Sequence, residues 1–193
     1  MCYNQSVLNS TFYFVRRFLL LNIKTIVVGY LQTNCYILEK NDTCIIIDPG
    51  DEIDKICKSI TCKPICILVT HRHFDHIGAL NELSKKYSIP IYDYNSLKEG
   101  NIRIGDYIFK VIFTPGHTFD SVTYYFYEDN VMFTGDFIFK DTIGRTDFDT
   151  SNILEMKKSI QKIKDYNDNI KILPGHGIST YLEYEKQNNI YLK

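Results

Sequence analysis

The sequence predicts an α+β domain in which a buried sheet core is covered by helices. Three observations carry this reading. Short β-branched apolar runs recur along the chain, helix-period stretches come between and after them, and Gly, Pro or Asn-Asp turns punctuate the boundaries. The composition agrees: 193 residues, 45% apolar, with 15 Tyr and 12 Phe but no Trp. Such a chain is too apolar for disorder and has the length of one ordinary domain.

The elements follow in order. Residues 24–28 and 35–38 read as strands joined by a turn containing Gly29 and Asn34. The Asn41-Asp42 turn leads into 43–47, a β-branched run that stops at Asp48-Pro49-Gly50. Residues 51–60 suit a short helix, and 65–70 the next buried strand. Ile77, Leu80, Leu83 and Tyr87 recur at helical spacing and predict one helix over 77–87. A short strand at 90–92 precedes strands at 102–104, 107–113, 121–126 and 131–134. The clearest helix is 150–163, with Ile153, Met156, Ile160 and Ile163 on one side and Ser151 or Thr150 placed to cap it. A strand at 170–173 and a helix at 179–187 complete the domain, which spans 23–193.

Residues 1–22 read as an N-terminal extension. Arg16 and Arg17 interrupt its apolar stretches, so no run approaches the ~20 residues that span a bilayer. It also lacks the basic start and cleavage site of a secretory leader. The expectation is a packed strand or helix peripheral to any site, or a misplaced start codon, with a membrane-surface helix as the alternative. Charge narrows the partners further: 22 basic against 23 acidic side chains argue against a nucleic-acid binder and leave a small-molecule substrate. The six cysteines, Cys2, Cys35, Cys44, Cys57, Cys62 and Cys66, all fall in the first 66 residues. Several sit in strand-like runs and none has zinc-knuckle spacing, so they read as reduced structural thiols in a cytoplasmic setting.

The chain has five histidines, and their placement carries the chemistry. His71, His73 and His76 fall in Thr70-His71-Arg72-His73-Phe74-Asp75-His76, between a predicted strand and a helix. In extended backbone, residues two apart point to the same side, so His71 and His73 pair; Asp75 and His76 follow at the turn into the helix. His117 lies in Thr114-Pro115-Gly116-His117-Thr118, and His176 in Leu173-Pro174-Gly175-His176-Gly177. Asp136 closes a strand in Thr134-Gly135-Asp136. Every histidine thus sits at a strand end beside a glycine or a turn, where layered sheet proteins gather their sites. Imidazoles with carboxylates form a metal donor set suited to zinc, iron or manganese. Gly135 and the Pro-Gly pairs supply the sharp turns that such loops need.

These motifs, together with Gln32-Thr33-Asn34-Cys35-Tyr36, Ile47-Asp48-Pro49-Gly50 and Gly144-Arg145-Thr146-Asp147-Phe148, resemble the metallo-β-lactamase-fold hydrolases, and within them the short glyoxalase II-like proteins (hydroxyacylglutathione hydrolase-like). The similarity runs from Ile23 to Asn189. It implies a four-layer αββα sandwich with two divalent metal ions at one edge, zinc first, with iron or manganese as alternatives. His71, His73 and His117 then hold one ion, Asp75, His76 and His176 the other, and Asp136 bridges both. The implied reaction is cleavage of a small thioester by a hydroxide bridging the two metals, with Asp75 and Asp136 catalytic. Asp48 is the candidate acceptor for a ligand imidazole's second N–H.

Other readings stay open at this point. Arg145 and Asp147 are either a buried ion pair or helix-start cap fixing the loop after Asp136, or groups that orient substrate. Phe137 and Phe139 are either core or an apolar wall, and Arg72 has a packing or surface role. Only 17 residues follow His176, too few for the helical domain that full-length glyoxalase II enzymes resemble one another in carrying, so glutathione is not implied as the thiol. Persulfide dioxygenases of the same fold are the main alternative, with one iron at His71, His117 and Asp136, and lactonases come next. The oxygen-reducing diiron relatives require a Glu where this chain has His73.

Overall fold

The computed structural model describes residues 21–193; the expected extension lies almost wholly outside them. Two sheets form the frame. The first contains β1 (Asn22–Val28), β2 (Thr33–Lys40), β3 (Thr43–Ile47), β4 (Lys63–Leu68) and β5 (Ile91–Tyr92) in that order. The hairpins β1–β2 and β2–β3 are antiparallel, while β4 and β5 join in parallel through helical crossovers. Those crossovers hold α1 (Ile53–Ser59), α2 (Phe74–Ile77) and α3 (Leu80–Tyr87).

The second sheet is built from β6 (Gly100–Ile104), β7 (Tyr107–Phe113), β8 (Val122–Phe126) and β9 (Val131–Gly135), followed by β12 (Lys171–Pro174) and β13 (Thr180–Tyr181). A separate hairpin pairs β10 (Ile138–Phe139) with β11 (Thr142–Ile143). Helices α4 (Ile153–Lys164) and α5 (Leu182–Asn188) belong to this half.

Strand alternation divides the apolar residues into three cores. On β2, Tyr36 and Leu38 face the space between the sheets, whereas Cys35 and Ile37 face α1 and α3. On β8, Val122, Tyr124 and Phe126 face inward, while Tyr125 joins Met156, Ile160 and Ile163 of α4. Sheets buried on both faces read as continuous apolar runs, which is why 43–47 shows no polar alternation. Three cores separate four layers, so the αββα sandwich is present. Each fully buried aliphatic or aromatic side chain contributes about 1.5–3 kcal/mol.

The helix expected over 77–87 is instead two. Helix α2 begins earlier, at Phe74, and the chain breaks at Gly78 and Ala79 before α3. A side chain at Gly78 would collide with the Gly50 carbonyl, and Ala79 N–H donates to the Pro49 carbonyl. Docking on the Asp48-Pro49-Gly50 loop thus overrides helical periodicity. The expected cap of α4 also moves. Asn152 accepts from the N–H groups of Leu154 and Glu155, while the Ser151 hydroxyl donates to the His117 carbonyl. The hairpin β10–β11 and the short strand β13 were not legible as strands. No described helix is long and apolar enough to cross a membrane.

Candidate metal centre

The strand ends of both sheets meet at one edge. His71 and His73 extend from β4, and α2 then presents Asp75 and His76 in its single turn. His117 comes from the β7–β8 loop, Asp136 from the end of β9, and His176 from the loop after β12. Close backbone approach makes this possible. Gly135 has φ +52, and a Cβ there would strike the Thr70 side chain. At Gly175 a Cβ would strike Asp136 and His76.

The seven side chains form two clusters. One atom each from His71, His73, His117 and Asp136 lies within 4.8 Å of the others, as does one each from Asp75, His76 and His176. In the first, His73 Nδ1 stands 3.1 Å from His71 Nε2 and 2.9 Å from His117 Nε2. In the second, Asp75 Oδ2 lies 3.2 Å from His176 Nε2 and 3.5 Å from His76 Nε2. Asp136 serves both: Oδ2 is 3.6 Å from His117 Nε2, and Oδ1 is 3.3 Å from His76 Nε2.

Four of the five histidines, His71, His76, His117 and His176, have a partner on the outer ring nitrogen that aims the inner one at the centre. His117 Nδ1–H donates to the Arg145 carbonyl at 2.9 Å, and His176 Nδ1–H to the Leu31 carbonyl at 3.0 Å. His76 Nδ1–H donates to Asp48 Oδ2 at 3.0 Å. His71 Nδ1 meets Thr70 Oγ1, whose own proton goes to Asp48 Oδ2 at 2.5 Å. One buried carboxylate therefore orients a histidine of each cluster. Asp48 Oδ1 is occupied by the Thr70 N–H.

The electrostatics favour cations. Burial pushes the imidazolium form of His71 well down, and neighbouring histidines add to this. Burial also disfavours a charged His76, but the carboxylates of Asp136 and Asp48 prevail and raise it to about 10. His176 is likewise raised, to about 9, against burial and by Asp136 and Asp75. The carboxyls of Asp75 and Asp136 are held low against burial, chiefly by His176. Among the described residues, two buried side-chain atoms have no hydrogen-bond partner: His76 Nε2 and Asp136 Oδ1, 3.3 Å apart. Leaving such atoms bare costs about 1–3 kcal/mol each, and a cation between them would satisfy both. Five imidazoles and two carboxylates, one of them turned to both clusters, fit a pair of zinc, iron or manganese ions.

Arg145 and Asp147 do not form a buried pair. They bond through both oxygens of Asp147, at 2.9 and 2.8 Å, with side chains 67% and 65% exposed. Nor do they cap α4, since Asn152 does. The loop is tied instead through the Arg145 backbone carbonyl, and the guanidinium lies 4.5 Å over the Phe148 ring at the cavity rim. Arg72 turns away from the centre to Asp93, which accepts from Nε at 2.8 Å. Phe137 belongs to the core, whereas Phe139 lines the cavity.

Sequence reasoning assigned no role to several supporting residues. The Asn34 amide donates both protons to the His176 loop, at the carbonyls of Pro174 and Gly177. Tyr36 adds a 2.6 Å bond to Pro174, and Thr33 Oγ1 donates to Asp75 Oδ2 at 2.9 Å. Their sequence signals are the Gln32-Thr33-Asn34-Cys35-Tyr36 motif and the polar pair Thr33 and Asn34 that opens β2 ahead of its apolar run.

The geometry defines a metal-dependent hydrolase-type enzyme with a dinuclear site. The metallo-beta-lactamase superfamily model matches residues 28–100 and 93–176, and the chain belongs to that superfamily. It is 34% identical over 199 residues to the "Probable metallo-hydrolase YqgX" of Bacillus subtilis (strain 168), covering 86% of this chain and 94% of the relative. It is 30% identical over 210 residues to the "Hydroxyacylglutathione hydrolase GloC" of Haemophilus influenzae, covering 89% and 98%. The solved structure of the BLEG-1 B3 metallo-beta-lactamase superposes with a TM-score of 0.85 at 30% identity, over 89% of this chain and 99% of that one. TTHA1623 in a di-iron-bound form gives 0.80 at 28%, over 88% and 100%. The family relationship extends to the glyoxalase II-like proteins.

Proposed function

We propose that the protein hydrolyses small acyl thioesters at a dinuclear metal centre. The observation that supports this most is the complete double cluster: His71, His73 and His117 on one side, Asp75, His76 and His176 on the other, and Asp136 turned to both. Bound metal ions supply Lewis acidity and lower the pKa of water toward neutrality. The chain's own residues do the rest. Asp136 holds the two ligand sets at a fixed separation. Asp75, oriented by the Thr33 hydroxyl, accepts a hydrogen bond from the attacking water and aims it at the acyl carbon. Leu31, Phe74, Phe139, Ile143 and Phe148 line a cavity of about 540 Å³ beside the ligands that receives the acyl group. The thiol leaves as thiolate, which needs little protonation.

The "Hydroxyacylglutathione hydrolase" relative supports the thioester, and the intact second cluster favours it over a single-iron persulfide dioxygenase. Zinc is the favoured metal. A cytoplasmic setting fits the cysteines: among the described residues Cys35, Cys44, Cys57, Cys62 and Cys66 form no disulfide with one another, and three of them are buried. The test is elemental analysis of protein purified without added metal, paired with anaerobic assays on acyl thioesters, lactones and a persulfide. Two metals per chain and anaerobic thioester cleavage are expected. One iron with oxygen uptake on persulfide would overturn the proposal, and a preference for lactones would reassign the substrate.

A further inference from the structure

The metal-site cavity does not end at the metal ligands. Leu31, Phe74 and Asp75 line it, and the same three line a second groove of about 450 Å³ that runs on between the β1–β2 turn and α2. The groove therefore borders the metal-site cavity, with Leu31, Phe74 and Asp75 as their common rim. Its walls are apolar and wet: Tyr30 at the turn is 97% exposed, and Phe74, between His73 and Asp75, is 75% exposed. Val28 and Leu31 complete the wall. Exposed apolar groups grouped beside a reaction centre mark a place where something apolar binds.

Charge defines that partner further. The acidic side chains lining the groove are Asp51 and Asp75, and among the described residues no Lys or Arg lines it. An anionic group such as a peptide carboxylate is repelled there. In the first cavity Arg145 is already engaged by Asp147.

We infer that this groove receives the extended apolar acyl chain of the thioester, so the preferred substrates are acyl groups of several methylenes rather than short hydroxyacyl groups. The inference rests on the thioester reading above. The reaction stays a plain hydrolysis: the acyl C–S bond breaks, the water oxygen joins the acyl carbon, and the products are a carboxylate and a thiol.

The test uses the metal-loaded full chain and N-acetylcysteamine thioesters from acetyl to octanoyl, with the lactoyl thioester alongside. We expect kcat/KM to rise about threefold to fourfold per methylene up to about hexanoyl, since burying one methylene has that effect. The lactoyl ester should fall below the butanoyl one. Tyr30→Asp and Phe74→Ala should each lower the hexanoyl-to-acetyl ratio by about tenfold, with an unchanged melting temperature as the check on folding. A flat chain-length profile, or a ratio unmoved in both variants, would overturn the inference while leaving the hydrolase intact. Cleavage of no thioester in the series would instead sink the hydrolase reading, and this inference with it.

Discussion

The two halves of the metal centre are built differently. The first cluster is imidazole-rich and enclosed, with side chains of His71 and His117 only 1% and 5% exposed. The second is more open and more acidic, with His176 27% exposed and Asp75 beside it. Their protonation differs accordingly: burial keeps His71 and His73 neutral, whereas carboxylates draw positive charge onto His76 and His176. Support differs as well. His117 is tied to a backbone carbonyl of its own half, while the loop bearing His176 is clamped by Asn34 and Tyr36 from the opposite sheet. The lesson is that one bridged site can contain two centres with separable weaknesses.

That comparison can be broken most severely at Asp136, the residue common to both clusters. Asp136→Ala should remove both metals and lower thioester hydrolysis by on the order of a thousandfold or more, read by elemental analysis and steady-state rates. Survival of hydrolysis would refute the bridged centre. Asp48→Asn comes next, because Asp48 orients one histidine in each cluster. Activity should fall roughly 10- to 100-fold, with weaker affinity for both ions in a chelator competition. Asn34→Ala sharpens the contrast. It leaves the Gly177 carbonyl of the His176 loop without its side-chain donor and the Pro174 carbonyl with Tyr36 alone, so metal content should drop from two toward one while the first centre keeps its ion. The destabilisation should be about 1–3 kcal/mol in urea denaturation.

The smallest effect lies behind the first cluster. Burial opposes the charge on Asp93, but Arg72 and Ser96 hold its carboxyl below the ordinary range. A carboxyl depressed by folding stabilises above its unfolded pKa of about 3.9, and that contribution fades as the pH falls through the folded value. Arg72 is 45% exposed, so solvent screening limits the pair. Asp93→Asn should therefore cost about 1 kcal/mol at pH 7, and that difference should shrink as the pH falls below about 3.9, by denaturation across pH.

Much of this was legible in the sequence because the ligands are chemically rare and stand at strand ends. Five histidines, each beside a glycine or turn, leave few other arrangements. The sheets were legible too, since strands buried on both faces announce themselves as apolar runs. What escaped was set by contact between distant segments. The break at Gly78 depends on a carbonyl from residue 50, and the cap of α4 on which of Thr150, Ser151 and Asn152 is drawn away; Ser151 went to His117. Thr33, Asn34 and Thr70 look ordinary locally, and their roles emerge only across 22 to 143 positions of chain. Residues Arg145 and Asp147 show the same limit: their pairing was readable, their exposure was not.

Each cluster draws ligands from both sheets. The first takes His71 and His73 from one half and His117 and Asp136 from the other; the second joins Asp75 and His76 to His176. An ion bound at either centre is therefore a crosslink between the halves of the sandwich, and loading and folding become linked equilibria. While metal remains in excess of its dissociation constant, every tenfold fall in free metal subtracts about 1.4 kcal/mol per site from the stability of the whole domain. Metal supply would then regulate how much enzyme persists, as well as how fast it works.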